Sequence, residues 1–290
     1  MNDVLLNFAT SSGFLLSGVA TAHGWHALAP YRWDVATGTL HRIEDLPGGV
    51  THLAVTQPDG ILVRAGRPLS PDDKHEVERR LRWSLRLDEN LDAFTTLCAR
   101  EPALSAAVLP SGGRLLRCPT LWEDTVKTIL TTNTTWAQTK VMAARLVTTL
   151  APHPPGNPSL RAFPAPEAVA VAGEDVFKEQ IRLGYRNASV LRIARTVAEG
   201  RVDLEGLKDY DLPTHELRKR LLALPGVGPY AAATLLMLLG RYEELGIDTE
   251  LRSHVSRKYF NGEAVTEKDM RAVYEHWGQW RYLAYWFDPR

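Results

Sequence analysis

A glycine-rich turn between two predicted helices is the first feature whose chemistry can be read directly. Thr214 or Asp211 is expected to cap a helix running to about Ala223, and Pro229 opens an apolar helix that ends near Gly240. Glycines between them permit positive φ and a close approach by another backbone. The N–H groups at the start of the second helix can therefore point at one phosphate. A glycine C-cap followed by a proline-started helix would give the same pattern in any helical protein.

Asp248 is the carboxylate best placed for chemistry. It stands between the second helix and a helical segment from Thr249 to Tyr259, which predicts a helix N-cap position. A helix N-terminus lowers the pKa of a carboxylate, so we expect Asp248 to be ionised at neutral pH. Such a charge can stabilise a developing cation or orient an attacking water. A purely structural N-cap is the alternative, and the two roles are compatible.

The elements that must position these residues fall into two regions. Up to about residue 70, short apolar runs at Phe14 to Leu16, His52 to Val55 and Ile61 to Val63 alternate with turn signals, which predicts antiparallel strands. The longer run Phe14 to Ala22 is also interpreted as a strand. From Ser70 onward, apolar residues recur at helical spacing. The pattern predicts an α+β fold, with an N-terminal antiparallel β-sheet domain packed against a helical body.

Composition excludes several classes of site. The 290 residues include 34 Lys plus Arg and 34 Asp plus Glu, so the chain has no net positive charge with which to bind nucleic acid. Any affinity for nucleic acid therefore requires local basic patches or oriented backbone N–H groups. Cys98 and Cys118 are too few for an iron–sulfur cluster, and we expect buried, reduced thiols. No run approaches the ~18 apolar residues of a membrane span. We expect a cytoplasmic monomer.

The segment Leu224-Pro-Gly-Val-Gly-Pro-Tyr-Ala-Ala resembles the hairpin of the helix-hairpin-helix DNA glycosylases, and Gly246-Ile-Asp248 matches their Gly/Pro-x-Asp signature at the expected spacing. Other segments resemble the alkyladenine and 8-oxoguanine branches of that superfamily: Pro30-Tyr-Arg-Trp33, Gly113-Arg-Leu-Leu-Arg117, Ile129-Leu-Thr-Thr-Asn133, Leu183-Gly-Tyr-Arg186 and Trp280-Arg-Tyr-Leu-Ala-Tyr-Trp286. The resemblance implies an N-terminal sheet domain at 1–100 and two helical domains, at 101–215 and 216–290.

The same resemblance implies base excision repair, in which Asp248 is the catalytic carboxylate and double-stranded DNA containing a damaged base is the partner. Tyr230 stands where the lyases of this superfamily carry a nucleophilic lysine. A phenol cannot form an imine, so the resemblance implies a monofunctional glycosylase that needs no cofactor. A tyrosine that only packs at a helix start is the alternative.

The resemblance also implies specific DNA contacts. Gly226, Val227, Gly228 and Tyr230 would hold the phosphate backbone, and Asn133 in Thr131 to Thr135 would fill the gap left by a flipped base. A simple interhelical turn is the alternative for Asn133. The carbonyl oxygens of Leu222, Leu224 and Gly226 would hold a structural Na⁺ or K⁺ ion.

Aromatic and basic residues complete the candidate site. Trp280 and Trp286, with Tyr230, are predicted to stack on the flipped base, although core packing is the alternative for each aromatic residue near the C-terminus. Four arginines near helical spacing are candidates for phosphate contacts or for a solvated face: Arg182, Arg186, Arg192 and Arg195.

Three functions remain open at this stage: a monofunctional glycosylase, an 8-oxoguanine-type glycosylase and lyase, and a non-enzymatic hairpin protein that only binds DNA. We expect the first, with an alkylated purine such as 3-methyladenine as substrate. The positive charge of such a base already weakens the glycosidic bond, so a site with one carboxylate and aromatic rings can cleave that bond without a general acid. Cation–π contact with the rings also favours a cationic base.

Overall fold

The computed structural model describes residues 4–10, 13–154, 156–208 and 211–290. The chain divides into two compact units. We call them the sheet unit, residues 1–89 and 110–205, and the hairpin unit, residues 90–109 and 206–290. The division into three domains at 1–100, 101–215 and 216–290 stays a prediction.

The sheet unit contains a five-stranded antiparallel sheet in the order β1-β5-β4-β3-β2, which confirms the predicted fold class. Along β4 and β5 buried side chains alternate with partly exposed ones, as a strand with one face on the core requires. The predicted runs at 52–55 and 61–63 lie in these strands. The strands are β1 Val4–Phe8, β2 Tyr31–Asp34, β3 Thr39–Leu46, β4 Gly49–Thr56 and β5 Ile61–Ala65.

The strand predicted from Phe14 to Ala22 is wrong, because Leu16–Ala22 forms a helix, α1. Leu16, Val19 and Ala20 are all buried there. A Cβ on Gly18 would lie 1.8 Å from the carbonyl oxygen of Pro110, so the helix packs directly on that backbone. In a short run in which most residues are apolar, the sequence periodicity cannot distinguish a helix from a strand.

The predicted change to helix at residue 70 is confirmed. Ser70 caps the next helix, because its hydroxyl accepts a hydrogen bond of 3.1 Å from the Asp73 N–H. The Asp73 carboxylate in turn accepts a hydrogen bond of 3.2 Å from the Ser70 N–H. A further helix begins at Pro166. The other α-helices of the sheet unit are α2 Pro71–Ser84, α5 Leu121–Thr131, α6 Trp136–Leu150, α7 Pro166–Ala170, α8 Glu174–Val176 and α9 Arg186–Ala198, and shorter turns of 3-10 or π type are Gly24–Ala27 and Phe177–Ile181. The 3-10 turn Glu205–Lys208 spans the chain boundary between the two units.

Helix α5 is the central helix of the sheet unit, buried at every residue from 121 to 130. Its Glu123 accepts from Arg42 of β3 over 2.6 Å and pairs with Lys127 over 2.7 Å. Buried charges are tolerated only when paired in this way. The pairs fix α5 against the sheet and so fix the loop that follows it.

The hairpin unit is helical and contains α3 Asp92–Cys98, α4 Pro102–Val108, α10 Thr214–Leu222, α11 Pro229–Leu238, α12 Thr249–Tyr259, α13 Glu267–Tyr274 and α14 Arg281–Phe287, with a 3-10 segment Glu275–Trp280 before α14. Cys98 and Cys118 are both buried free thiols, as predicted. Within the described ranges, no helix has the length and apolarity needed to span a membrane.

The cap predicted for α10 is wrong. Pro213 occupies the N-cap position and makes no side-chain cap bond, while Thr214 is the first helical residue. The Thr214 hydroxyl instead donates to the Glu243 carboxylate over 2.8 Å. A tertiary partner has therefore replaced the local cap.

Candidate functional site

The hairpin turn between α10 and α11 has the geometry of an exposed backbone loop. Gly226 has a φ of +83°, where glycine is favoured, and Val227 anchors the turn as its buried residue. The Val227 N–H donates to the carbonyl oxygen of Leu224 over 3.1 Å. Gly226 and Gly228 are both exposed.

At Gly228 only one of the two predicted reasons for a glycine applies, the close approach of another backbone. Its φ is −92°, so positive φ is not the reason for a glycine here. A Cβ at Gly228 would have no heavy atom within 4 Å in the protein, so the space beside it is open. Across the described residues, no backbone carbonyl accepts from the N–H of Gly226 or Gly228. These donors, at the positive end of α11, suit an anion.

Asp248 occupies the predicted N-cap of α12. Its carboxylate accepts a hydrogen bond of 2.8 Å from the Leu251 N–H, and its backbone is extended, with φ −140° and ψ −174°. The side chain is half-buried. One carboxylate oxygen is therefore held by the helix, and the side chain has only limited contact with solvent.

The expected low pKa of Asp248 is wrong. Burial raises the pKa of this carboxyl, and the nearby Glu250 raises it further. The hydrogen bond from Leu251 and the charge of Arg290 lower it, but less than burial raises it. Desolvation thus affects the pKa of Asp248 more than the helix N-terminus does.

The glycine of Gly246-Ile-Asp248 has a packing reason. A Cβ on Gly246 would lie 2.4 Å from the phenol oxygen of Tyr282, so a larger residue would push the segment away. The Tyr282 hydroxyl lies 3.2 Å from the Thr234 hydroxyl on α11, and its backbone N–H donates to Tyr242 over 2.8 Å. Helices α11 and α14 together therefore set the position from which Asp248 begins α12.

Two tyrosines of α14 are close enough to this carboxylate for its charge to affect them. Burial raises the pKa of the Tyr282 phenol, and the neighbouring Tyr230 and Asp248 add to the effect. Burial also raises the pKa of Tyr285, with a further contribution from Asp248. The rings of Tyr282 and Tyr285 stack with centroids 6.1 Å apart. The sequence alone left both residues open between a stacking wall and the core, because burial and a site position have the same pattern in an aromatic helix.

The predicted aromatic residues have other contacts. Trp280 is half-buried between Tyr242 and Phe94, at centroid distances of 5.7 and 5.6 Å. Trp286 is also half-buried and meets the Tyr282 ring edge-on at 6.3 Å. Trp280 thus contributes to the packing of the hairpin unit, and Trp286 backs one of the tyrosines beside Asp248.

Tyr230 is the second residue of α11 and is half-buried. Its carbonyl oxygen accepts from the Thr234 hydroxyl over 3.1 Å, and that hydroxyl also contacts Tyr282. Thr234 therefore links the backbone of Tyr230 to Tyr282 of α14.

The C-terminal segment contacts both the first turn and the later part of α12. Asp288 accepts hydrogen bonds from four side chains, and Arg290 pairs with Glu250 in the first turn of α12. Burial alone would raise the pKa of Asp288, but these bonds hold it below its ordinary value. The four donors are His254 at 2.7 Å, Lys258 at 2.5 Å, Tyr274 at 2.8 Å and Tyr259 at 2.8 Å.

A second candidate site lies in the sheet unit, at the loop between α5 and α6. Asn133 is exposed and has a φ of +46°, and Thr135 caps α6. The break predicted at Thr131 to Thr135 is confirmed from Thr132 to Thr135, while Thr131 is the last residue of α5. The Asn133 amide donates to the Tyr185 hydroxyl over 3.3 Å, and Tyr185 is 64% exposed. An exposed tyrosine held by a strained loop was not predicted as a site residue, although it lies in the quoted Leu183-Gly-Tyr-Arg186.

Arg186 supports this loop from beneath. The side chain is buried, and its guanidinium donates to the carbonyl oxygens of Thr132 and Asn133, the latter over 3.3 Å. It also donates to Leu183 over 3.3 Å and lies 4.4 Å from the centroid of the Tyr185 ring. Arg186 is therefore neither a solvated residue nor a direct surface contact, whereas Arg182, Arg192 and Arg195 are exposed.

The carbonyls predicted to hold a cation lie where α10 ends. Leu222 is its last residue, and helix carbonyls at that end have no partner within the helix. The carbonyl oxygen of Leu224 already accepts from Val227, but a carbonyl keeps a second lone pair. With Gly226 in the same turn, the donor set is of hard oxygens, which fits a Na⁺ or K⁺ ion.

Comparison with known proteins gives similarity at the level of structure. No family model and no curated protein matches the sequence. A 3-methyladenine DNA glycosylase from Archaeoglobus fulgidus matches with a TM-score of 0.79 and 20% identity, over 98% of this chain and 97% of that one. An 8-oxoguanine glycosylase/lyase from Clostridium acetobutylicum matches with a TM-score of 0.74 and 18% identity, over 99% and 98%.

The same Clostridium enzyme in complex with double-stranded DNA containing cytosine opposite 8-oxoguanine matches with a TM-score of 0.73 and 18% identity, over 99% of this chain and 96% of that one. Both branches named by the sequence resemblance are thus represented among structures that match nearly end to end. The chain has the fold of the helix-hairpin-helix DNA glycosylases.

Proposed function

We propose that the protein is a monofunctional DNA glycosylase of base excision repair, with Asp248 as its catalytic carboxylate. One observation carries the proposal: a half-buried carboxylate caps α12 in the same compact unit as a hairpin whose exposed N–H groups suit a phosphate. A hairpin that only grips DNA needs no carboxylate at this spacing. Similarity to solved glycosylases supports the assignment at the level of fold.

The reaction follows from what Asp248 can do. As the bond between C1′ and the base nitrogen breaks, its electrons leave with the base and the sugar becomes oxocarbenium-like. The ionised carboxylate stabilises this cation, and its fixed position costs no reorganisation during the reaction. Water then adds at C1′ and gives up a proton, so the products are the free base and an intact abasic site. Asp248 can orient that water with the oxygen that α12 does not hold.

The absence of a lyase step rests on Tyr230. A Schiff base needs an amine at the position from which the sugar carbon is attacked, and a phenol cannot supply one. The neighbouring side chains of Thr234 and Tyr282 carry hydroxyl groups and no amine. The abasic product should therefore keep its phosphodiester backbone.

Two contacts to double-stranded DNA follow from the exposed loops. The N–H groups of Gly226 and Gly228 bind a backbone phosphate, which positions the protein without reading sequence. A Na⁺ or K⁺ ion held by the carbonyls of Leu222, Leu224 and Gly226 would add positive charge beside that phosphate. In the sheet unit, Asn133 fills the space of a flipped nucleotide, and Tyr185 presents an exposed ring beside it.

We propose alkylated purines, such as 3-methyladenine and 7-methylguanine, as the substrate class. Tyr230 and Trp286, two of the residues predicted to stack on the flipped base, are half-buried. An electron-rich ring attracts a cationic base by about 0.5 to 2 kcal/mol. A neutral oxidised base gains nothing from this contact. Such a site needs no separate general acid, because the methylated base leaves as a neutral molecule.

A panel of duplexes with single lesions tests the proposal. Each duplex carries 3-methyladenine, 7-methylguanine, 8-oxoguanine or no lesion, and base release is measured under single turnover. Wild-type protein should release methylated purines faster than 8-oxoguanine, and Asp248→Asn should release neither. Faster release of 8-oxoguanine would replace the substrate class but keep the glycosylase. Duplex binding with no base release from any member would leave a hairpin protein that only binds DNA.

A further inference from the structure

We propose that the exposed face of α9 binds the phosphates of the DNA duplex outside the lesion. This inference rests on the proposed function and extends it to a second contact surface. The surface is a cavity of about 400 Å³ in the sheet unit, and we call it the α9 pocket. Its charged lining consists of Lys178, Arg192, Arg195, Arg201 and Glu174.

The charge of the α9 pocket departs from that of the chain. Overall, 34 basic residues balance 34 acidic ones. The pocket gathers four cations and one carboxylate, so its lining carries three net positive charges. Because the chain has no excess positive charge, a local concentration of this size marks a surface suited to a polyanion.

Two of the cations are available for a ligand. Lys178 pairs with Glu174 over 3.3 Å, and Arg201 pairs with Glu199. Arg192 and Arg195 are exposed, and among the described residues neither guanidinium has a carboxylate within salt-bridge distance. Each can donate two parallel hydrogen bonds to a phosphate.

The position of these arginines favours duplex DNA over a free nucleotide. Tyr185 immediately precedes α9, and the residues that follow on its exposed side are Ala188, Arg192 and Arg195, at spacings of three and four. The tyrosine beside Asn133 and the two arginines therefore share one face of the helix. With a rise of about 1.5 Å per residue, Arg192 and Arg195 lie about 10 and 15 Å along α9 from Tyr185.

That reach corresponds to a few base pairs. Duplex DNA rises about 3.4 Å per base step on each strand, so 10 to 15 Å spans about three to four steps. A loop that inserts Asn133 beside a lesion would leave the arginines over phosphates of the flanking duplex. We expect this contact to add affinity for damaged and undamaged DNA alike, because phosphates carry no sequence information directly.

The salt dependence of binding tests the inference. The probes are a 25-base-pair duplex with a tetrahydrofuran abasic site and the same duplex without it, each titrated at several KCl concentrations. In Arg192→Gln/Arg195→Gln, the slope of log K against log salt should become shallower by about 1.8, since each lost phosphate contact contributes about 0.9. The matched control is Arg100→Gln, an exposed arginine of the hairpin unit, which should leave the slope unchanged.

A second measurement locates the phosphates. Single methylphosphonate substitutions, which remove one backbone charge, are placed one to six steps from the abasic site. Substitutions at about three to four steps should weaken binding of the wild type but not of the double variant. Equal slopes for wild type and double variant would overturn the inference and indicate a solvated face.

The two proposals fail separately. The salt slope is measured on undamaged duplex as well, so it remains informative if no lesion is excised. Conversely, normal base release with an unchanged slope would leave the glycosylase intact and remove the α9 contact. Titration with sodium triphosphate covers the remaining ligand: binding that depends on Arg192 and Arg195, with no effect of these residues on the DNA slope, would assign the pocket to a small polyphosphate and overturn the inference.

Discussion

The carboxylate of Asp248 accepts a hydrogen bond of 2.8 Å from the backbone N–H of Leu251. This bond holds one side of the carboxylate on α12 and so limits the directions in which the charge can act. Burial raises its pKa at the same time, because less water remains to stabilise the ionised form. A group that is fixed and partly desolvated interacts more strongly with a nearby cation than an exposed carboxylate does.

Asp248→Asn should strongly reduce excision while keeping the fold. Asparagine caps a helix about as well as aspartate, so α12 should remain in place. The substitution removes the charge that stabilises the sugar cation, and we expect single-turnover excision to fall by about 100-fold to 1000-fold or more. Binding to an abasic-site duplex should change little. Asp269→Asn, which alters a capping carboxylate of α13, is the control and should excise normally. Excision by Asp248→Asn within about tenfold of wild type would remove the catalytic role.

The pKa of Asp248 makes a prediction about stability with a definite sign. Since the folded-state pKa is raised, the folded protein binds this proton more tightly than the unfolded chain does. The ionised group therefore costs stability above the folded pKa, and the cost disappears below the unfolded value of about 3.9. The melting temperature of Asp248→Asn relative to wild type should rise as the pH is raised from about 4 to 7.

Asp269 supplies the opposite case for comparison. Hydrogen bonds from Thr266 lower its pKa, so its contribution to stability is present above the unfolded pKa and is lost as the pH falls. Asp269→Asn should therefore fall in melting temperature relative to wild type over the same rise in pH. The same sign for both variants would mean that burial does not govern the pKa of Asp248.

The raised pKa of Asp248 should also appear in the kinetics. In a plot of kcat/KM against pH, the acid limb should lie above the ordinary pKa range of an aspartate.

Gly228→Ala separates binding from folding. Its φ is −92° and the added Cβ meets no atom within 4 Å, so the variant should fold with unchanged stability. The methyl group would stand where a phosphate approaches, and we expect weaker binding to damaged and undamaged duplex by the same factor. Gly226→Ala is the contrasting variant, because its φ of +83° makes alanine strained and should lower the melting temperature. A Gly228→Ala protein that loses affinity only for the lesion would contradict phosphate binding.

The sequence predicted the hairpin, the Asp248 cap and the break before Asn133 because each depends on local signals: glycines, proline and a capping side chain. It failed where tertiary contacts decide. The helix at Leu16–Ala22 depends on packing against Pro110, and the raised pKa of Asp248 depends on burial. The burial of Arg186 likewise depends on carbonyls about 50 residues earlier in the chain, which no periodicity reveals.

Arg186→Lys should damage the Asn133 loop without removing charge. The guanidinium bonds the carbonyls of Thr132, Asn133 and Leu183 at once, and a lysine cannot reproduce this fork. Of these carbonyls, that of Leu183 lies in a buried place. A buried carbonyl left unpaired costs about 1 to 3 kcal/mol, so the free energy of unfolding should fall by that order. Affinity for an abasic duplex should fall as well. Arg192→Lys, on the exposed face of α9, is the matched control and should leave stability unchanged.

We expect the protein to leave the DNA strand uncut after base release. Tyr230 offers no amine, and its neighbours Thr234 and Tyr282 offer only hydroxyl groups. Product DNA should therefore contain an intact abasic site that breaks only after hot alkali, and borohydride should trap no protein–DNA adduct. Tyr230→Phe should still excise the base, since the phenol oxygen takes no part in bond breaking. An adduct trapped by borohydride from wild-type protein, and lost when one lysine is replaced by glutamine, would identify a lyase amine elsewhere in the chain and make the enzyme bifunctional.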